Sequence, residues 1–199
     1  MNFIQNLFFN QQIHTMKIII GLFGKKGSGK DTFADYMVEK YGFQKVSFAE
    51  PLKKICKELF LLSDDQINDP ELKETVLPNW NLSPRQILQK VGTDLFRQHF
   101  SETFWTDLMK NRLEQFSEND KIVITDIRFQ NEHDLVQNFS NSFIIKIQRD
   151  ERDKINDSHI SENWDLNTNI VIDNNHSKED FFQKIEKMLQ ESDILSSIL

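Results

Sequence analysis

The sequence predicts an α/β fold: a five-stranded parallel sheet with helices on both faces, built around a phosphate-binding loop. A glycine-rich loop, Gly24-Lys25-Lys26-Gly27-Ser28-Gly29-Lys30-Asp31-Thr32, follows directly on an apolar run at 17–23. After it, short segments rich in Ile, Val or Phe alternate with helical patterns, as in parallel strands joined by crossover helices. These segments are continuous apolar runs, as expected for strands buried on both faces.

The first strand is read at 17–23. The loop that ends it fits G-x(4)-G-K-[ST] except at the last place, where Asp31 replaces the usual hydroxyl and Thr32 follows. Successive glycines let the backbone curl around an anion with its N–H groups inward, and the dipole of the following helix adds positive potential there. Lys30 then meets the outer phosphates as a point charge. The residues from Gly24 to Thr32 are therefore the candidate site for a nucleoside triphosphate. A carboxylate can ligate Mg²⁺ directly or through water, so Asp31 and Thr32 are candidate metal ligands. Phe33, Tyr36 and Met37 mark the helix that follows.

Further strands are read at 43–48, 121–125, 142–147 and 169–172. Between the second and third lies a helical section, 50–120, too long for a simple crossover. Within it Ser83-Pro84-Arg85-Gln86 is a helix start: Ser83 can cap, Pro84 suits the first position and Gln86 can close a capping box. A second start is read at Ser101-Glu102. The last helix, 177–189, carries Phe181, Phe182, Ile185, Met188 and Leu189 on one face for packing on the sheet. A single domain over 16–199 is expected. Residues 1–15 read as a disordered leader or an upstream start, without the basic beginning and long apolar stretch of a secretory signal.

Lys plus Arg number 24 against 31 Asp plus Glu, a formal charge of −7. That balance argues against nucleic acid as a partner, while leaving room for a local basic cleft. Cys56 is the one cysteine. It excludes an internal disulfide and a multi-cysteine zinc site, and reads as a buried thiol in a reducing compartment. No apolar run reaches the roughly 20 residues needed to span a bilayer. A soluble protein without membrane partners is expected, with the cytoplasm as the default location.

A second constellation lies in the helical section. If 85–97 is helical, Arg85, Gln89, Thr93 and Arg97 recur every four residues along one face, while Ile87, Leu88, Val91 and Leu95 occupy another. Alternatively Gly92 breaks the helix, and Gly92-Thr93-Asp94 forms a turn that aims Asp94 into a cleft. A third piece, Asp126-Ile127-Arg128, follows the strand at 121–125, and strand ends in this class converge on the ligand crevice. Asp126 can hold a water on Mg²⁺, and Arg128 can reach a transferring phosphoryl group.

The loop at Gly24–Thr32, Arg85-x-x-x-Gln89-x-x-Gly92-Thr93-Asp94, Asp126-x-Arg128 and His159-x-Ser161-Glu162 together resemble the viral and phage deoxynucleoside monophosphate kinases. The resemblance covers nearly the whole chain from Met16. It implies a P-loop NTPase fold of the nucleoside monophosphate kinase kind. It also implies transfer of the γ-phosphate of ATP, with Mg²⁺ as cofactor, onto a deoxynucleoside 5′-monophosphate. Nucleotides are then the partners, the host cytoplasm is the location for a viral member, and a homodimer is allowed. The segment 149–168, with Arg149, Arg152, Lys154 and His159, is the candidate for a short lid over ATP. His159 reads equally as a hydrogen-bonded loop anchor.

On this reading Lys30 and the loop amides hold the ATP phosphates, with Arg149 beside them, and Asp31, Thr32 and Asp126 position Mg²⁺. Arg85, Arg97 and Arg128 orient the acceptor phosphate; Gln89, Gly92, Thr93, Asp94 and His159 complete the acceptor site. Phe104 or Trp105 is a candidate wall against a ribose 2′-hydroxyl, and each reads equally as a core aromatic. Two alternatives remain open: a kinase for another phosphorylated small molecule, of the phosphomevalonate or dephospho-coenzyme A kind, and a non-catalytic ATP-binding sensor.

Overall fold

The computed structural model describes residues 17–150, 166–192 and 194–198. The candidate leader at 1–15 and most of the lid-like segment, including His159, lie outside the described residues. Five strands, β1 (Ile18–Phe23), β2 (Gln44–Val46), β3 (Lys121–Ile124), β4 (Ser142–Gln148) and β5 (Ile170–Asp173), form one sheet in the order β2-β3-β1-β4-β5. Every pairing is parallel, with Ile18 opposite Lys121, Ile19 opposite Ser142, Gln44 opposite Ile122 and Ile145 opposite Ile170. Strand ends differ from the sequence reading by at most two residues.

β1 is central, and all six of its residues are buried, which accounts for its unbroken apolar run. On one face of the sheet pack α1 (Lys30–Tyr41), α7 (Lys178–Glu191) and α8 (Ile194–Ile198), through Phe33, Met37, Phe181, Ile185, Leu189 and Ile194. On the other face lie α5 (Phe104–Glu114) and α6 (Gln130–Gln137), through Trp105, Met109, Leu113 and Val136. The expected last helix starts where its cap demands, with Ser177 Oγ accepting from the Asp180 amide at 3.1 Å.

The section between β2 and β3 has a small core of its own. Here α2 (Ala49–Phe60), α3 (Asp64–Asn68) and α4 (Pro84–Gln89) gather Cys56, Leu62, Ile67, Ile87, Leu88 and Val91. Burial pushes the Cys56 thiol up to about 11, leaving it an inert core residue. Ser83 caps α4 through a full capping box with Gln86, and Pro84 occupies the first turn. The second expected start is displaced: Ser101 forms a turn that accepts from the Phe104 amide, and Thr103 stands at the head of α5.

Candidate active site

The carboxyl ends of all five strands open on the same edge. β1 runs into the glycine-rich loop, β2 into Phe48 and Ala49, β3 into Asp126 and Arg128, β4 into Arg149 and β5 into Asn174. The chain also reverses its winding direction at β1, between β3 and β4. In open parallel sheets that switch point is where a ligand crevice forms.

The loop is held tightly against these ends. Gly24 has φ 149°, and a Cβ there would lie 2.1 Å from the Ile147 carbonyl oxygen, so only glycine fits. Asn174 donates to the Ser28 carbonyl at 2.8 Å and fastens the loop from the far side. Lys30 folds back over the loop, its Nζ donating to the carbonyls of Gly24 at 2.5 Å and Lys25 at 2.9 Å. The ammonium is thus already at the mouth of the loop. Asp31 is one residue on, its side chain 80% exposed and paired with Lys45 of β2 at 2.8 Å. Thr32 lies beside it in the first turn of α1.

The second constellation is a continuous helical segment. α4 passes without a break into a π-helical stretch, Lys90–Phe100, so the alternative turn at Gly92 does not form. An α-helix overshoots a four-residue repeat, whereas the wider i→i+5 turn undershoots it. Joining the two keeps Arg85, Gln89, Thr93 and Arg97 on one wall of a cavity of about 130 Å³. Gly92 lines it as well, and a Cβ there would meet Leu52 Cδ2 at 2.6 Å. Trp105 completes that wall, its indole N–H donating to the Gly92 carbonyl at 2.9 Å. Asp94 is not among the lining residues, because in a helix it sits off the stripe, with its carbonyl bonded to His99 Nδ1 at 2.6 Å. Phe104 likewise points away, into a ring cluster with Phe96 and Phe100.

Opposite stand Asp126, Arg128, Phe129 and Glu132. Asp126 takes the amides of Phe48 at 2.8 Å and Ala49 at 2.9 Å, and so fixes the start of α2. Burial pushes its carboxyl up, although both amides favour the ion. Both of its oxygens are therefore engaged in the cavity wall. Arg97 is more enclosed than a free anion clamp would be: Nη2 meets Glu132 at 2.6 Å, Nη1 meets Asn131 at 3.0 Å and the Glu102 carbonyl at 3.1 Å, and the guanidinium lies 3.8 Å over the Phe129 ring. Glu132 also accepts from the Arg128 amide at 2.8 Å and the Phe129 amide at 3.2 Å. Burial raises its carboxyl to about 7 against the pull of Arg97.

The cavity is strongly cationic. Lys53, Lys73, Arg85 and Arg128 line it. Lys73 is pushed down to about 8, first by burial and then by Lys53, Arg85, Arg128 and Lys26. Crowded cations that depress an ammonium in this way form a site for a multiply charged anion.

The family model for deoxynucleotide monophosphate kinase matches residues 17–79 and 65–185. A protein of Acanthamoeba polyphaga mimivirus bearing that name is 39% identical over 187 residues, covering 84% of this chain and 94% of its own. The chain belongs to the deoxynucleotide monophosphate kinase family. The deoxynucleoside-5′-monophosphate kinase of Escherichia phage T5 is 36% identical over 98 residues, 49% of this chain and 38% of its own. Among solved structures, TT1252 from Thermus thermophilus has a TM-score of 0.48 at 17% identity, covering 88% of this chain and 98% of its own. The dephospho-CoA kinase of Campylobacter jejuni has 0.47 at 20%, covering 88% and 97%.

For a deoxynucleotide monophosphate kinase the described residues add groups that no sequence motif marks: Lys53, Lys73, Glu74, Glu132 and Asn174. Glu74, Glu132 and Asn174 are placed by partners distant in sequence, Lys26, Arg97 and Ser28. Glu132 alone carried a local signal, lying four residues after Arg128. No group of three or more His, Cys, Asp or Glu that could hold a metal occurs among the described residues. Nor is any helix among them long and apolar enough to cross a membrane.

Proposed function

We propose that this kinase moves the γ-phosphoryl group of ATP onto a deoxynucleoside 5′-monophosphate, giving ADP and the deoxynucleoside diphosphate. The carrying observation is that the glycine-rich loop and the cationic cavity stand side by side. Lys26 of the loop and Arg85 of the cavity wall both reach a single carboxylate oxygen, each at 2.6 Å.

An oxygen of the acceptor monophosphate is already anionic at neutral pH, so no strong base is needed. It attacks the γ-phosphorus as the bond to the β–γ bridging oxygen breaks, and ADP leaves with that electron pair. Lys30 and Lys26 draw charge toward the donor side. Arg85, Arg128 and Lys73 align the acceptor phosphate and offset charge that builds on the equatorial oxygens. Gln89 and Thr93 face the acceptor from the helix wall, and Trp105, anchored on Gly92, forms the apolar side against which a deoxyribose packs.

The donor set fits Mg²⁺. An exposed carboxylate and a hydroxyl, Asp31 and Thr32, stand beside Lys30 in the first turn of α1, and this ion takes one or two such oxygens together with substrate phosphates and water. When bound, it would neutralise charge on the β- and γ-phosphate oxygens. Asp31 would exchange its present partner, Lys45, for this role.

The test is ATP-dependent phosphorylation, with Mg²⁺, of dTMP, dGMP, dCMP, dAMP, the ribonucleotides and phosphomevalonate. Diphosphate from one or more deoxynucleotides is the expected result. ATP binding without product from any acceptor would favour a sensor. An unchanged deoxy-to-ribo ratio in Trp105→Ala would remove Trp105 from sugar selection.

A further inference from the structure

Between α3 and α4 the chain makes one 3₁₀ turn, Leu72–Glu74. Asp69 holds its entry, with Oδ1 accepting from the amides of Glu71 at 2.9 Å and Leu72 at 2.8 Å, and its carbonyl accepting from the Lys73 amide at 3.0 Å. Two neighbouring side chains are thereby sent to different places. Lys73 enters the cationic cavity. Glu74 reaches across to the glycine-rich loop, where its Oε1 accepts from Lys26 Nζ and from Arg85 Nε, both at 2.6 Å.

Lys26 is the third residue of the loop that would hold ATP, and Arg85 belongs to the wall that would hold the acceptor phosphate. One oxygen bound to both lies between the two sites, where a phosphoryl group in transit would be. Stability is a poor reason for this arrangement. The Lys26 and Glu74 side chains are 49% and 47% exposed and Arg85 15%, and a carboxylate half open to water gains little from such pairs. Burial raises the Glu74 carboxyl, but Lys26 and Arg85 outweigh it and hold the group below its ordinary value. It is an anion throughout the working range.

We infer that Glu74 is a tethered anion occupying the phosphoryl-transfer position in the substrate-free protein, which the substrate phosphates must displace. The identity of the two flanking sites rests on the kinase reading above. Glu74 touches neither reacting atom; it acts through Lys26 and Arg85. Its single charge keeps the cations close together without substrate, and a polyphosphate with several charges outcompetes it. The tether therefore weakens the apparent binding of any anion that must displace it by the same factor, polyphosphates included.

The experiment is calorimetric titration of inorganic pyrophosphate into the full chain and into Glu74→Gln, which keeps the shape of the side chain and removes its charge. A competing anion predicts roughly three- to tenfold tighter pyrophosphate binding by the variant. Equal or weaker binding by Glu74→Gln overturns the inference. Weaker binding would make Glu74 an organiser of Lys26 and Arg85, and absence of binding by both proteins overturns it as well. The acceptor panel on the wild-type protein decides the kinase reading separately, since pyrophosphate binding requires no turnover.

Discussion

Arg97 and Glu132 meet at 2.6 Å inside the cavity wall, with 8% and 5% of their side chains exposed. A buried pair of this kind contributes little net stability while intact, but losing one partner strands the other charge. Glu132→Ala should lower the unfolding free energy by about 3–5 kcal/mol. The double variant Arg97→Met, Glu132→Leu should recover most of that. Urea titration of the three proteins checks it, and a single variant as stable as wild type would mean that water relieves Arg97.

On the proposed mechanism, removing the Lys30 ammonium takes away one of the two donor-side charges without disturbing the core. Turnover of Lys30→Ala should fall by at least about 100-fold, the scale for one preorganised electrostatic contact in the transition state. Far-ultraviolet circular dichroism should be unchanged. Wild-type turnover in a folded variant would take Lys30 out of the chemistry.

Gly92→Ala sets two effects against each other. Alanine favours a helix interior by about 1 kcal/mol over glycine, but the new methyl would press on Leu52 Cδ2, 2.6 Å away. That methyl is the tip of a flexible side chain and can yield, and it yields into the cavity that Leu52 lines. Melting temperature should therefore move little, while KM for the monophosphate rises several-fold and KM for ATP stays put. Steady-state kinetics on both substrates separates these outcomes.

Lys73 titrates near 8 in the folded chain against its ordinary 10.5. Its charged form is disfavoured by the fold, so the stability it contributes is full above the ordinary value and is lost as pH falls through about 8. A phosphate bound beside it reverses that penalty. An accepted deoxynucleotide should raise the melting temperature more at neutral pH than at about pH 9. In Lys73→Met the difference should vanish; persistence of the full difference would place the phosphate elsewhere.

What could be read from the sequence follows local pattern. The glycine loop, the Ser83–Gln86 capping box and the apolar strands each announce themselves within a few residues, and the structure places them accordingly. The row Arg85, Gln89, Thr93, Arg97 was also visible, but an α-helix and a π-helix of that spacing look alike in sequence. Local pattern therefore left open whether Gly92 breaks the helix, and the packing of Leu52 against it is a tertiary contact. Glu74, Lys73 and Asn174 could not be read: Glu74 meets Lys26 across 48 positions and Asn174 meets Ser28 across 146. Arg97 was visible as a cation, but its enclosure by Glu132, Asn131 and Phe129 is a tertiary fact.

The tie between Asn174 and the Ser28 carbonyl also bears on the order in which the molecule is assembled. β1 leaves the ribosome before its sheet partners β3 and β4, and one tie on the loop that follows it waits for the residue after β5. Contacts of such long sequence separation form slowly and late. The nucleotide cradle is therefore among the last parts of the molecule to be completed. A nascent chain halted before β5 should hold no ATP, and recovery of nucleotide binding during refolding would time the docking of that final strand.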